Sequence, residues 1–166
     1  MPNFKSKLRF LIATALSVGA LSGALAEGTK LSPRQEHAAY NQECAACHIA
    51  YPAGALPARS WERLMGGLDK HFGVDASLAP ATAAEISKWL QANAGASKCV
   101  GPEPPQDRIT LSAWYKRTHR ELNPAVWKLP SVKSASNCAA CHSGAAKGNF
   151  DEDNVRVPAG VKSLGS

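Results

Sequence analysis

The chain has 166 residues, with 19 Lys and Arg against 13 Asp and Glu and a formal net charge of +6. A chain of this length forms one ordinary domain or two small ones. The positive excess is modest and no basic stripe carries interleaved aromatic residues, so nucleic-acid binding is excluded as a function class.

Residues 1–26 have the layout of a secretory signal peptide. Three basic residues precede an apolar run from Phe10 to Leu21, and small residues at Ala24 and Ala26 mark the cleavage position. The run is too short to span a bilayer comfortably, and an uncleaved membrane anchor is the alternative. Cleavage after Ala26 removes three basic residues and no acidic one, which lowers the formal charge from +6 to +3. The sequence therefore predicts a periplasmic protein whose mature chain has no membrane span.

A proline-rich break at residues 101–105, Gly-Pro-Glu-Pro-Pro, divides the rest of the chain. Such a segment cannot continue a helix or a central strand. Alternating apolar and polar runs are nearly absent, which argues against strands. The sequence thus predicts a mostly α protein of two small lobes, with an N-terminal domain at 27–103 and a C-terminal domain at 104–166.

Three helices are predicted before the break. The first covers residues 34–47 and leads into the first pair of cysteines. Ser60 is predicted to cap a helix over 61–68. Thr82 begins a capping box for a third helix, which Gly95 ends.

Two shorter helical segments are predicted after the break. Ser112 is expected to cap a helix that carries Trp114 and His119. Asn123 and the following proline begin a short segment. Beyond His142 the chain is rich in Gly, Lys and Asp and is predicted to be loop.

Two identical pentapeptides, Cys-Ala-Ala-Cys-His, occupy residues 44–48 and 138–142. The C-x-x-C-H spacing is typical of c-type haem attachment. Two thiols at this spacing form thioethers to the two vinyl groups on one porphyrin edge, and the adjacent histidine gives the iron its proximal nitrogen. The motifs predict two haem c groups, with thioethers from Cys44, Cys47, Cys138 and Cys141 and iron ligands His48 and His142. Two porphyrins would also supply apolar mass to a chain in which large aliphatic residues are sparse.

Other uses of two cysteine pairs remain open. Four thiolates could hold a structural zinc ion, and a C-x-x-C pair could be a thioredoxin-like redox site. Neither use explains why a histidine follows both pairs. Export to an oxidising compartment also disfavours a thiolate zinc site.

The sixth ligand of each iron must come from elsewhere in the chain. His71 follows the predicted second helix where the chain turns, and it is the predicted distal ligand of the first haem iron. His119 lies 19 residues before Cys138 and is the predicted distal ligand of the second haem iron. His37 and Met65 remain alternatives, although the first is expected at the surface or in a packing contact and the second in the core.

Cys99 is the fifth cysteine and lies outside both motifs. In an exported protein an odd cysteine indicates either a buried inert thiol or an intermolecular disulfide.

The mature sequence resembles the small bacterial diheme cytochromes c over nearly its whole length. The stretches that carry the resemblance are ECAACHIAYP at 43–52, LPARSW at 56–61, Leu64-Met65, HFGVDAS at 71–77, Trp127, 132–134 and NFDED at 149–153. The resemblance implies an N-terminal half similar to a class I cytochrome c, with histidine replacing the usual methionine. It also implies two axial histidines on each haem, His71 and His119 being the matching distal positions. The implied partners are periplasmic redox proteins, in some members an oxygen-binding monohaem cytochrome.

The function predicted is electron transfer, without enzymatic activity, through two covalently bound bis-histidine haems of low potential. Bis-histidine ligation leaves no open iron position for a substrate, and the methionine ligand that raises the potential is missing. Two alternatives stay open. The first is a haem enzyme such as a periplasmic peroxidase, and the second is a cytochrome subunit of a larger reductase.

Overall fold

The computed structural model describes residues 36–161, and the predicted signal peptide at 1–26 lies outside that range. Five α-helices occur in it: α1 (Ala38–Cys44), α2 (Ala58–Gly66), α3 (Pro80–Ala92), α4 (Ser97–Val100) and α5 (Ala113–Thr118). Short 3₁₀ turns connect them at Ala53–Ala55, Leu68–Lys70, Pro105–Asp107, Ile109–Leu111, Pro124–Lys128, Cys138–Ala140, Ala145–Lys147 and Glu152–Asn154. The described residues form no β-strand, so the mostly α prediction is confirmed.

The core of the N-terminal half, residues 36–103, lies between α2 and α3, with α1 packed on α3. Its most deeply buried side chains are Leu56, Ile86 and Leu90. Trp61 is also buried, and its indole N–H donates to the Ala53 carbonyl oxygen at 2.7 Å. A buried indole N–H with a partner avoids the cost of an unpaired donor, which fixes α2 against the preceding 3₁₀ turn.

The predicted starts of α2 and α3 are wrong by two or three residues. α2 begins at Ala58, and Ser60 lies fully buried in its first turn instead of capping it. α3 begins at Pro80, because a proline at the first helical position has its φ fixed for a helix and lacks an N–H that would need a partner. Thr82 therefore lies inside the helix, which ends at Ala92.

α1 is shorter than the predicted 34–47 helix. It covers Ala38–Cys44, and residues 34–35 lie outside the described range. His37 is its N-cap, where the Nδ1 atom accepts a hydrogen bond from the Tyr40 backbone N–H at 3.1 Å. The helix ends at the first cysteine of the motif, so Cys47 lies in the turn that follows it.

The predicted caps of the C-terminal half, residues 104–161, are correct. The Ser112 hydroxyl accepts from the Tyr115 N–H at 3.0 Å and begins α5. The Asn123 side chain accepts from the Ala125 N–H at 2.9 Å and begins the 3₁₀ turn Pro124–Lys128. Such caps satisfy backbone donors that have no partner inside the helix. The buried side chains of this half are few: Ser112, Tyr115, Val126, Val132 and Ala145.

The two halves contact each other beside the proline-rich break. Arg63 of α2 makes two hydrogen bonds to the Asp107 carboxylate, at 2.9 and 2.6 Å, and an ion pair with Glu103 at 2.8 Å. Its guanidinium holds the pKa of Asp107 below the usual value. Ile109 packs against the core of the N-terminal half. The domain boundary at residue 103 stays a prediction. None of the helices in residues 36–161 is long and apolar enough to cross a membrane.

Candidate haem-attachment sites

The first Cys-Ala-Ala-Cys-His motif extends from the end of α1 into a turn. The Cys44 thiol is partly buried, and this burial, with the neighbouring Glu43, raises its pKa to about 11. Cys47 is exposed. The Nδ1–H of His48 donates to the Ile49 carbonyl oxygen at 2.7 Å. A histidine that uses one ring nitrogen in this way presents the other nitrogen to a metal.

His71 lies at the tip of a tight turn that brings its ring to the first motif. The Val74 N–H donates to the His71 carbonyl oxygen at 3.0 Å, and both intervening residues, Phe72 and Gly73, have positive φ, at 50° and 96°. This combination is typical of a type I′ turn. The ring centroids of His71 and His48 are 6.2 Å apart, with 24° between the ring planes.

The second motif has a similar local arrangement. Cys138 begins a 3₁₀ turn, and the His142 N–H donates back to the Cys138 carbonyl oxygen at 2.8 Å. Burial raises the pKa of the Cys138 thiol to about 11 and also raises that of Cys141. The C-terminal segment covers the motif through a bridge between His142 and Val155.

His119 ends α5 and lies against the second motif. Its Nδ1–H donates to the Tyr115 carbonyl oxygen at 3.0 Å, and its ring stacks on the Tyr115 ring with centroids 4.1 Å apart. Trp127 contacts the ring from another side, edge to face at 5.9 Å. The His119 and His142 centroids are 6.2 Å apart, with 75° between the ring planes.

The electrostatics of His71, His119 and His142 favour neutral imidazoles, the form that binds a metal. Burial lowers the pKa of His71, and the nearby His48 lowers it further. Burial also lowers the pKa values of His119 and His142, the latter with a contribution from His119. The Nδ1 atoms of His71 and His142 are buried without a hydrogen-bond partner in the described residues.

The spacing of each histidine pair fits a haem iron. A metal bound between two imidazoles lies about 2 Å from each nitrogen, which places the ring centroids roughly 6 Å apart. His48 and His142 each directly follow their two cysteines in the chain, and a porphyrin would supply the iron's four remaining nitrogens. Within residues 36–161 no three His, Cys, Asp or Glu side chains converge into a metal-binding group.

The two motifs lie close to each other. One cleft of about 400 Å³ is lined by residues of both: Cys47, His48, Ile49, Tyr51, Ser136, Asn137, Cys138 and Ala139. The Tyr51 hydroxyl crosses this cleft and donates to the Ser136 carbonyl oxygen at 2.9 Å. The C-terminal lobe is therefore joined to the N-terminal lobe at the haem-attachment motifs as well as beside the proline-rich break.

The alternative ligand residues and the fifth cysteine make contacts outside the two histidine pairs. The Nε2 atom of His37 lies 3.2 Å from the Glu85 carboxylate, and its ring packs on Trp89 at 5.1 Å. Met65 packs at the margin of the N-terminal core. Cys99 lies in α4, and its carbonyl oxygen accepts from Arg117 at 3.2 Å.

Sequence reasoning missed two tyrosines that contact the histidines. Tyr115 lies four residues before His119, and residues at this spacing share a helix face. The sequence spacing could therefore have predicted their contact. Tyr51 lies three residues after His48, with ring centroids 5.0 Å apart. Its partner is 85 residues away, and no local pattern indicates such a contact.

The chain is similar to known proteins over most of its length. The model of the dihaem cytochrome c family matches residues 40–150. A diheme cytochrome c from Rhodobacter sphaeroides is 42% identical with a TM-score of 0.63, over 72% of this chain and 100% of that one. The diheme cytochrome type c from Shewanella baltica OS155 is 39% identical with a TM-score of 0.64, over 74% of this chain and 93% of that one. No curated protein sequence matches the chain.

Proposed function

Because the chain belongs to the dihaem cytochrome c family, we propose that it transfers electrons in the periplasm through two bis-histidine haems of low potential. The family itself makes it a haem c electron carrier with two haem c cofactors. The proposal goes beyond the family in three respects. It assigns the thioether cysteines and the iron ligands, it places the protein in the periplasm, and it gives both haems a low potential.

The two motifs would hold the haems covalently. Cys44 and Cys47 would form the thioethers of the first haem, and Cys138 and Cys141 those of the second. Haem iron supplies the one-electron change between its ferric and ferrous states. The chain's own part is to fix each iron's ligands and to set how much water and which charges surround it.

The observation that carries the ligand assignment is the pairing of histidines. His48 faces His71, and His142 faces His119, each at 6.2 Å between centroids. Hydrogen bonds from Nδ1 to backbone carbonyls orient His48 and His119. This orientation holds the tautomer in which Nε2 is the free ligand atom.

Two histidines on each iron support a carrier of low potential. Ligation by methionine raises the potential of ordinary cytochromes c, and imidazole does not. Met65 is the only methionine after residue 26 and packs at the core margin. With both axial positions filled, neither iron has a place for a substrate, which favours electron transfer over peroxidase chemistry.

The cellular context rests on the sequence. Residues 1–26 have the signal-peptide layout, and haem attachment through thioethers suits an exported protein. The partners would be redox proteins of the periplasm, and the family resemblance makes an oxygen-binding monohaem cytochrome one candidate. If the protein were instead a subunit of a larger reductase, it would have a stable partner. Size-exclusion chromatography of the native protein from periplasm would then show a larger complex.

The test is the ferric spectrum of the purified holoprotein, with its response to ligands and a spectroelectrochemical titration. We expect two six-coordinate low-spin haems, potentials well below those of Met/His cytochromes c, and no carbon monoxide binding on mixing with the ferrous protein. A high-spin component that binds cyanide or carbon monoxide stoichiometrically within seconds would instead support the haem-enzyme alternative.

A further inference from the structure

Tyr51 connects the first haem-attachment motif to the segment just before the second. On one side its ring packs against the His48 ring, with centroids 5.0 Å apart and 32° between the planes. On the other side its hydroxyl donates to the Ser136 carbonyl oxygen at 2.9 Å. The Cys138 sulfur lies 3.7 Å from that same oxygen. One ring contact and one hydrogen bond therefore separate the first proximal histidine from the backbone beside the second thioether position.

Both ends of this connection are held in place. The Tyr51 carbonyl oxygen accepts from the Tyr40 hydroxyl at 2.6 Å, and Tyr40 packs on Trp89 of α3. On the far side, the Tyr115 hydroxyl donates to the Ala135 carbonyl oxygen at 2.8 Å. Because each end is tied to its own half of the protein, the Tyr51 hydrogen bond decides how closely the two motifs approach.

The other polar contacts that we describe between the halves involve neither motif. Arg63 binds Asp107 beside the proline-rich break, and Arg117 binds the Cys99 carbonyl oxygen. These contacts hold the halves together but touch no haem-attachment residue. The Tyr51 contact is different, because its two partners are a predicted iron ligand and the segment that immediately precedes a predicted thioether cysteine.

We propose that Tyr51 is a positioning residue that sets the rate of electron exchange between the two haems. The inference rests on the proposed function, because it requires that both motifs carry electron-transferring haems. Tyr51 gains and loses no electron in the exchange. One haem iron is oxidised as the other is reduced, and the hydroxyl keeps its proton while it holds the Ser136 segment against the His48 side of the cleft.

The expected change in exchange rate follows from the free energy of the Tyr51 hydrogen bond. Loss of a neutral hydrogen bond shifts the balance between joined and separated arrangements by about fivefold, which corresponds to about 1 kcal/mol. Electron tunnelling falls steeply with distance, so the separated arrangement contributes little to exchange. Tyr51→Phe is therefore expected to slow exchange by up to about fivefold.

The experiment uses the full holoprotein, reduced by one electron with a laser-generated reductant, and follows equilibration between the haems. Arg117→Met is the control, because it also removes a hydrogen bond between the halves, the one to the Cys99 carbonyl oxygen, but touches neither motif. We expect slower exchange in Tyr51→Phe, wild-type exchange in Arg117→Met, and unchanged low-spin spectra and potentials in both. Wild-type exchange in Tyr51→Phe, or equal slowing in both variants, overturns the proposal.

A second variant tests the proposal if Tyr51→Phe fails to retain both haems. Incorporation of 4-aminophenylalanine at position 51 keeps the ring and a hydrogen-bond donor, and must restore two haems and exchange near the wild-type rate. Slow exchange in that loaded protein contradicts the proposal. Failure of the proposed function is seen separately, as a high-spin wild-type spectrum, whereas failure of this inference is seen only in the ratio of exchange rates.

Discussion

The imidazole rings of His48 and His71 lie 6.2 Å apart and nearly parallel, with 24° between their planes. The His119 and His142 rings have the same separation but a 75° angle. The equal spacing fits one iron between each pair, whereas the unequal angles make the two sites electronically different. Axial ligands control the electronic state of a haem iron, so the two haems are expected to be distinguishable by magnetic measurements.

We predict two different low-spin EPR signals from the ferric protein. Nearly parallel imidazole planes give a rhombic signal with three well-separated g values, and nearly perpendicular planes give one very large g value. The first haem should produce the rhombic signal and the second haem the large-g signal. Low-temperature EPR of the holoprotein measures both, and two rhombic signals would contradict the angle between His119 and His142.

Removal of a distal histidine should affect one haem only. His71→Ala is expected to make the first haem high-spin and to abolish the rhombic EPR signal, because it removes the histidine whose ring lies 6.2 Å from that of His48. His119→Ala should do the same to the second haem and the large-g signal. Absorption and EPR spectra of the two variants measure this, and a variant in which both haems change would indicate that ligands cross between the halves.

The covalent attachment predicts a mass that survives denaturation. The wild-type chain should carry two haem additions on a polypeptide that begins at Glu27. Cys44→Ala or Cys138→Ala should weaken attachment of one haem, because a single thioether then remains in that motif. Intact mass spectrometry in denaturant measures both, with Cys99→Ser as the control expected to keep two haems. A Cys99→Ser protein with one haem would place Cys99 in attachment chemistry.

The chemistry of the site could be predicted from sequence much further than its geometry. In each motif the two cysteines and the predicted proximal histidine lie within five consecutive residues, because one porphyrin edge requires two thiols at a fixed short spacing. Such a motif can be recognised in the sequence before the fold is known. The predicted distal histidines are not contiguous with the motifs. His71 is predicted from the turn in the chain and from the family resemblance, and the structure has a Phe72-Gly73 turn directly after it.

The predicted starts of α2 and α3 are wrong for a reason that the structure shows. Ser60 and Thr82 have good capping side chains, but Pro57 precedes α2 and Pro80 begins α3, so both helices start before those residues. Ser60 is instead fully buried in the first turn of α2. The Tyr51–Ser136 contact depends on how the two halves approach each other, and no local preference encodes that approach.

His37 is expected to stabilise the fold without binding iron. Its Nδ1 atom caps α1, and removal of such a cap costs about 1 kcal/mol. His37→Ala should therefore lower the free energy of unfolding by about that amount while both haems stay low-spin. His37→Asn restores a capping side chain and should recover most of the loss. Denaturant unfolding followed by far-UV circular dichroism measures the difference, and a high-spin haem in His37→Ala would make His37 a ligand.

Gly95 lies where the chain after α3 passes closest to the segment before α2. Its N–H donates to the Leu56 carbonyl oxygen at 2.9 Å. A Cβ atom there would overlap the Gly54 carbonyl oxygen and lie 2.6 Å from Val100 Cγ1. The first of these is backbone and cannot rotate away.

Gly95→Ala is therefore expected to destabilise the protein by about 1–3 kcal/mol, the usual cost of forcing extra atoms into a packed site. Gly66, near the end of α2, is the matched control, because a Cβ atom there would have no atom within 4 Å. Gly66→Ala should be neutral or raise stability by up to about 1 kcal/mol, since alanine favours a helix and reduces the freedom of the unfolded chain. Thermal unfolding of the two holoproteins measures the contrast. Equal midpoints for the two variants would mean that the segments carrying Gly54 and Gly95 are not in close contact in solution.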